Sequence, residues 1–402
     1  MTPRNQFSGP TLFSYGFRPF FLGAALFGLC VVPVWFFIWR GDLALQSHFA
    51  PVDWHIHEMI FGYGAAVIAG FLFTAVPNWT GRMPTRGWPL AALLVLWLGG
   101  RLALAWGAAL TPPVVLLIDQ GFLLAVVAMI AREIMAGRNW RNLKVLLPVT
   151  LLWASNLLYH AEIMSLGTAD LGRRLGLALL VFLIMLIGGR ILPSFTRNWL
   201  AQRGAARLPV PFNRFDGLAL VTGAGALLAW VFAPFTLASA VLGALAALLH
   251  VARLSRWCGH VTWRAPLLCM LHLAYLGIPA GFIAISATAL GLASMAAPAH
   301  LFGIAAVGGM TVAVMMRATM GHTGRELVAG RALPLAFALL LLAALARLAG
   351  GAVILAGLDG IALSALLWTL SFALLSWRLA PWLARPRVAR RVPSQANPRP
   401  AS

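Results

Sequence analysis

Residues 20–39 read FFLGAALFGLCVVPVWFFIW, a run without a charged residue that ends at Arg40. A helix that crosses the hydrocarbon core of a bilayer needs about 20 mainly apolar residues. The run is too long for the apolar part of a signal peptide, and it is followed by arginine rather than by a small-residue cleavage site. The stretch therefore predicts the first membrane-spanning helix.

The composition of the whole chain is typical of a membrane protein. Of its 402 residues, 61% are hydrophobic and only 10% are charged, whereas soluble domains carry about 25% charged residues. Similar apolar runs recur to the C-terminal region, which predicts an all-α polytopic membrane bundle of about twelve helices in a single transmembrane domain, 1–402. The candidate spans lie near 20–39, 57–76, 88–107, 112–131, 143–161, 174–193, 215–233, 236–254, 265–286, 296–317, 333–356 and 360–380.

The positive charges give these helices a direction. The net charge is +20, but the arginines are spread over short gaps between apolar runs, which excludes the basic patch of a nucleic-acid-binding domain. The odd-numbered gaps hold almost no positive charge, apart from Arg40 and the pair Arg173-Arg174. Because cytoplasmic loops carry the excess of Lys and Arg, both termini are predicted to be cytoplasmic. The polar ends, 1–16 and 384–402, are expected to be mobile.

The histidines are the leading candidates for chemistry, because polar residues inside a membrane are costly and each needs an explanation. Imidazole nitrogen is a good ligand for haem iron and for copper. A haem held between two helices needs two histidines at matching depth. With the predicted topology, the candidates near the outer ends of helices are His55, His57, His160 and His300, and those toward the cytoplasm are His272 and His322.

The densest histidine cluster is WHIHEM, residues 54–59. On a regular helix His55 and His57 point about 200° apart, so they cannot both bind one metal there. Either the segment is extended or the two residues serve different sites. The competing interpretation is an interfacial belt of Trp and His at a helix start, where Glu58 is favoured by the helix dipole.

The other histidines leave similar alternatives open. His160 and His300 are either interfacial residues or ligands, and their common depth with the WHIHEM cluster favours ligands. His272 lies within an apolar span and is either hydrogen-bonded to the backbone or a ligand. His322 lies in a cytoplasmic turn and either caps a loop or binds a metal.

Two charges, Arg101 and Asp119, stand about equally far from the predicted turn near Leu110, on the third and fourth spans. They are therefore predicted to lie at similar depth in a helical hairpin. One interpretation is an ion pair within the membrane, and the other is that Arg101 binds a haem propionate.

Several motifs resemble the NnrS family. They are Arg18-Pro19-Phe20-Phe21, the WHIHEM cluster with Ile60-Phe61-Gly62, Pro77-Asn78-Trp79-Thr80-Gly81, Gly188-Gly189-Arg190-Ile191-Leu192-Pro193-Ser194, and Gly321-His322-Thr323-Gly324-Arg325. The resemblance covers residues from about 12 to about 380. It implies a bacterial inner-membrane protein that contains haem and copper and is associated with nitric oxide metabolism, denitrification and resistance to nitrosative stress.

The resemblance and the histidine depths together give a leading hypothesis. His57 and His300 are expected to ligate a b-type haem, His55 and His160 to bind copper or a second haem, and His272 and His322 to form a site nearer the cytoplasm. An open position at iron or copper would bind nitric oxide or another small diatomic molecule, with an unknown electron donor.

The order of the helices allows a comparison with haem–copper oxidases. Arg-, Thr- and Gly-containing stretches recur every four helices, which suggests three groups of four, as in haem–copper oxidase catalytic subunits. Those proteins ligate haem from the second and tenth helices, but the sixth span here has no histidine, which disfavours an oxidase-like binuclear centre.

The sequence leaves two alternative functions open. One is a transporter without a metal centre, for which Arg347 is the main charge at mid-span. The other is a membrane protein with a purely structural role.

Overall fold

A computed structural model describes residues 7–388 of the chain. It contains twelve long helices, each of which matches one predicted span. They are α1 Phe17–Arg40, α2 Pro51–Thr80, α3 Trp88–Ala109, α4 Pro112–Ala136, α5 Leu143–Leu166, α6 Asp170–Ala201, α7 Arg214–Phe232, α8 Leu237–Ser255, α9 Pro266–Ala289, α10 Ala296–His322, α11 Ala332–Leu348 and α12 Gly360–Ala384. The predicted mobile ends fall partly on residues 1–6 and 389–402, which lie outside the described residues.

Ten of these helices are long and apolar enough to cross a membrane, which confirms the prediction of an all-α polytopic membrane bundle. The remaining two are α5 and α11. Helix α5 has 24 residues but carries Ser155, Asn156 and His160, all of which are buried. Helix α11 has 17 residues. These three polar side chains of α5 therefore face the protein interior, and Asn156 and His160 contribute to the site described below.

Helix α11 ends eight residues earlier than predicted. The span 333–356 was expected to continue past Arg347, but the helix ends at Leu348, and Gly350 follows with a positive φ of 58°. Glycine at a helix end adopts this left-handed conformation readily, which stops the helix. A short antiparallel hairpin, β1 Val353–Leu355 and β2 Leu358–Asp359, then leads into α12. Arg347 consequently lies in the last turn of α11 rather than at mid-span.

Three helices contain a segment of wider π-helix: residues Glu58–Gly64 of α2, Ile184–Gly188 of α6 and Leu301–Gly308 of α10. These are the second, sixth and tenth helices, so the π segments recur every four helices, at the same interval as the Arg-, Thr- and Gly-containing stretches of the sequence. Short π segments inside α-helices are found frequently at functional sites. Each segment here contains glycine, and glycine lets neighbouring backbones approach closely.

The helices with π segments lie at the centre of the bundle. Most of the apolar part of α2 and α6 is buried, as is that of α9, whereas less than half is buried in α1, α3 and α4. The first part of α6 contacts the π segments of both α2 and α10. Helices α2 and α10 are joined by a hydrogen bond from Tyr63 to Thr311, with 2.6 Å between the hydroxyl oxygens. At the periphery α1 packs against α12, so the first and last helices are neighbours.

A buried polar network holds the π segment of α6. The Arg253 guanidinium is fully buried, and it donates to the Met185 carbonyl within this segment and to the Asp216 carboxylate, at 2.9 and 3.0 Å. The Tyr275 hydroxyl accepts a hydrogen bond from Arg253 and lies 2.9 Å from Nδ1 of His250. Buried charges are stable when they are paired and hydrogen-bonded in this way. Helices α7, α8 and α9 therefore fix the shape of α6 from one side.

Candidate metal centre

The first two candidates, His55 and His57, lie in the regular first part of α2, residues Pro51–His57, directly before its π segment. Their side chains point to different surroundings, as the helical geometry predicted. The His55 ring stacks on Trp35 of α1 with 4.2 Å between ring centres. The His57 ring contacts Tyr159 and His160 of α5, with 5.3 Å between ring centres in each case. Two separate polar sites therefore start from the WHIHEM cluster.

The first site is a cavity of about 330 Å³, called here the large cavity, which both His55 and His300 line. Small-molecule and cofactor sites in proteins have volumes of about 300–1,000 Å³, so the large cavity is of a size to hold a ligand. Its walls come mainly from α2, α6 and α10, with contributions from α1, α7, α11 and α12. All of these helices contribute the half that lies on the predicted outer side.

The two histidines of the large cavity are held differently. Nδ1 of His300 lies 2.7 Å from the Ala296 carbonyl one turn earlier. A carbonyl only accepts, so Nδ1–H donates this hydrogen bond, and in the neutral imidazole Nε2 is then the unprotonated nitrogen. A hydrogen bond of this kind is the usual means of orienting a histidine that binds a metal through its other nitrogen. His55 has no such anchor, because its Nδ1 is buried without a hydrogen-bond partner among the described residues.

Three arginines line the same cavity: Arg173 and Arg174 of α6 and Arg347 of α11. They lie on the predicted outer side, where the positive-inside rule disfavours arginine. The pair Arg173-Arg174 was an unexplained exception to the charge pattern, and its position at the cavity supplies a reason. An apolar cavity with a few cationic groups at one end suits an amphipathic anion, because arginine pairs well with carboxylates.

The second site is a group of buried polar side chains, called here the carboxylate cluster. At its centre Oδ2 of Asp119 lies 3.2 Å from Nε2 of both His57 and His160. One ligand atom from each of the three residues lies within 4.8 Å of the other two, which is close enough for one metal ion. Two imidazoles and one carboxylate form a mixed nitrogen and oxygen set of the kind that binds Cu(II) or another first-row metal.

Arginine and amide groups complete the carboxylate cluster. Arg101 donates from Nη1 to Glu58 at 2.7 Å, and from Nη2 to Asp119, which confirms the predicted ion pair between α3 and α4. Asn156 donates to Oδ2 of Asp119 and accepts a hydrogen bond from His57, both at 2.8 Å. All of these side chains are less than a tenth exposed.

The formal charges of the carboxylate cluster do not balance. Glu58 and Asp119 bring two carboxylates against the single guanidinium of Arg101, so one negative charge remains if both carboxylates are ionised and both imidazoles are neutral. An uncompensated charge within the membrane is expensive. The cluster therefore favours one additional positive charge, either a proton or a metal cation at the two histidines.

Two glycines allow the helices to approach at this cluster. A Cβ on Gly62 would lie 2.5 Å from both Nη1 of Arg101 and Oε2 of Glu58, and a Cβ on Gly100 would lie 2.8 Å from Oδ1 of Asp119. Any larger residue would move the ion pair, since real Cβ contacts are not this short. The cluster is therefore built into the packing of α2, α3 and α4.

Comparison with known proteins gives the family. A family model described as NnrS protein matches residues 11–387, nearly the whole chain. The chain belongs to the NnrS family. This membership identifies a multi-pass membrane protein related to nitric oxide, from a family known for metal binding. No curated protein matches the chain significantly.

The remaining candidates of this NnrS-family chain lie elsewhere. His272 is buried near the predicted cytoplasmic end of α9, where its Nδ1 lies 3.0 Å from the Leu268 carbonyl and its Nε2 lies 3.4 Å from the Thr196 hydroxyl. His322 is exposed at the end of α10, where it packs against the rings of Tyr15 and Phe17. Neither joins the large cavity or the carboxylate cluster, and the two have separate partners.

The large cavity and the carboxylate cluster contain residues for which the sequence predicted another role or no role. His57 and His300 were expected to share a haem, but the large cavity is lined by His300 with His55, while His57 belongs to the carboxylate cluster. Arg101 belongs to that cluster as well and does not line the large cavity. Asn156 was not singled out, although an asparagine within an apolar span, one helical turn before His160, was a signal for it.

Proposed function

We propose that this NnrS-family protein binds haem b in the large cavity and copper in the carboxylate cluster, and that it acts in nitric oxide metabolism or in resistance to nitrosative stress. The observation that carries the proposal is that His55 and His300 line one cavity that arginines also line. Haem iron is bound by histidine, and haem carries two carboxylates that need cationic partners.

The residues present suit a haem. His300 is oriented by its bond to Ala296 and offers Nε2, while Nδ1 of His55 is buried without a partner within residues 7–388. Arg173, Arg174 and Arg347 would hold the propionates. Trp35, Trp230 and Trp368 supply flat aromatic walls. When bound, the haem would supply an iron that exchanges electrons and that, with one of the two histidines not coordinated to it, binds nitric oxide.

The carboxylate cluster suits copper on grounds of donor type and charge. His57 and His160 would supply nitrogen ligands and Asp119 an oxygen ligand. The binding of a cation would offset the unbalanced negative charge of the cluster. Arg101 and Asn156, which donate hydrogen bonds to Oδ1 and Oδ2 of Asp119, would keep this carboxylate in position, as is usual for residues that support a metal site.

The proposal is tested by purifying the protein from cells supplied with haem precursors and copper. We expect a Soret absorption band, a change in that band when nitric oxide is added under anaerobic conditions, and copper by elemental analysis. Protein that is folded but lacks a Soret band and copper would contradict the proposal. The variant His260→Ala removes an exposed histidine outside both sites and should behave as the wild type.

A further inference from the structure

A second cavity lies beside the large cavity, on its cytoplasmic side. It measures about 90 Å³ and is called here the small cavity. It is bordered by all three π segments, through Gly64 of α2, Ile184 of α6 and Val307 of α10, together with valines at the start of α5. The three unusual segments of the fold therefore meet around one space, and no part of the proposed haem or copper site explains that meeting.

The small cavity offers little to bind water. Its walls are apolar side chains except for glycines and Thr311. The Thr311 hydroxyl accepts a hydrogen bond from Tyr63 and donates to the Val307 carbonyl, at 2.6 and 2.7 Å, so it has no free donor to offer. Apolar cavities of this kind remain dry and take up apolar guests such as xenon.

The small cavity adjoins the proposed haem site. Leu180 and Val307 line both cavities, so each of these side chains borders the two spaces. Tyr63 lines the large cavity and bonds to Thr311, which lines the small one. On the other side, Ile187 and Ile191 are only half-buried, so the small cavity extends to the lipid-facing surface of α6.

We propose that the small cavity binds a small uncharged diatomic gas, and that it passes this gas from the lipid to the large cavity between Leu180 and Val307. The volume excludes a larger organic substrate, and the apolar lining excludes an ion. An uncharged diatomic gas dissolves in lipid and needs no hydrogen-bond donor. This inference rests on the proposed function, because the gas is taken to react in the large cavity.

The first test is independent of haem. Crystals of the protein pressurised with xenon should show a xenon atom in the small cavity, and crystals of the variant Val149→Phe should not. Val149 is fully buried and lines the small cavity without lining the large one. An ordered lipid chain in place of xenon, or an empty small cavity under xenon, would overturn the proposal.

The second test measures the rate at which carbon monoxide binds to ferrous haem after flash photolysis. We expect Val149→Phe to slow association severalfold with an unchanged Soret band, and Leu180→Ala, which widens the boundary, to speed it. The matched control is Val221→Phe, since Val221 of α7 is largely exposed. Equal association rates in all four proteins would overturn the proposal. Absence of any Soret band would instead contradict the proposed function, and the xenon result would still decide the gas site.

Discussion

His55 and His57 are separated by one residue and yet belong to different sites. Two residues correspond to about 200° of rotation on an α-helix, so the two rings leave α2 on opposite sides. This rotation was predictable from the sequence. The surroundings of each ring were not, because they come from α1 and α10 for His55 and from α4 and α5 for His57, and depth alone does not distinguish neighbours around a helix.

Asp119 is the residue on which the charge of the carboxylate cluster depends. Asp119→Asn removes one negative charge with little change in shape, and it leaves Arg101 balanced by Glu58. We therefore expect the variant to fold and to retain haem but to lose most of its copper. Copper and haem contents of the purified protein check this prediction.

The matched control is Glu133→Gln on the same helix. Glu133 pairs with Arg82 near the C-terminal end of α4, outside both sites, so this variant should keep its copper. If Asp119→Asn retained the copper content of the Glu133→Gln control, the charge argument would be wrong.

At the scale of elements, the approach of α3 to α4 is set by one of two adjacent glycines. A Cβ on Gly100 would clash with Asp119, whereas a Cβ on Gly99 would meet nothing closer than 3.8 Å. We expect Gly100→Ala to lower copper content, and Gly99→Ala to leave copper content unchanged and to stabilise the helix by up to about 1 kcal/mol. Metal analysis and thermal unfolding in detergent distinguish the two variants. Equal effects of both substitutions would show that helix approach does not control the cluster.

The π segment of α6 depends on Arg253. Arg253→Met removes the donor to Met185 and leaves the buried Asp216 carboxylate without its main partner. Breaking a buried ion pair from one side costs about 3–5 kcal/mol of stability. The double variant Arg253→Met with Asp216→Asn leaves no stranded charge, so we expect it to be more stable than Arg253→Met alone. Denaturant unfolding in detergent measures both, and a double variant at least as unstable as the single one would contradict the role of Asp216.

On the scale of the whole molecule, the sequence was sufficient for the fold class and for the order of the helices, because a bilayer restricts the chain to helices of known length. The π segments were not predictable, since they keep the apolar pattern of an α-helix and differ only in hydrogen bonding. The end of α11 was misplaced because the residues after Gly350 remain apolar, although they form a hairpin. The large cavity was not predictable either, because its walls come from seven helices and their packing cannot be read from the sequence.

The positions of charge also predict the orientation of the molecule. The large cavity and the carboxylate cluster lie toward the same side of the bundle, and the arginine-rich loops lie on the opposite side. We expect alkaline phosphatase fused after Gly167 to be active outside the cytoplasm, and green fluorescent protein fused after Ala384 to fluoresce inside it. The reverse pattern would place both sites on the cytoplasmic side and would contradict the predicted topology.

The most direct test of the account measures haem and copper together in three variants, His55→Gln, His57→Gln and His300→Gln. Glutamine keeps a polar side chain of similar size but is a poor ligand for haem iron. The account predicts that His300→Gln and His55→Gln lose or shift the Soret band and keep copper, while His57→Gln keeps the wild-type Soret band and loses copper. Loss of the Soret band in His57→Gln, with an unchanged band in His55→Gln, would contradict the account and restore the pairing of His57 with His300.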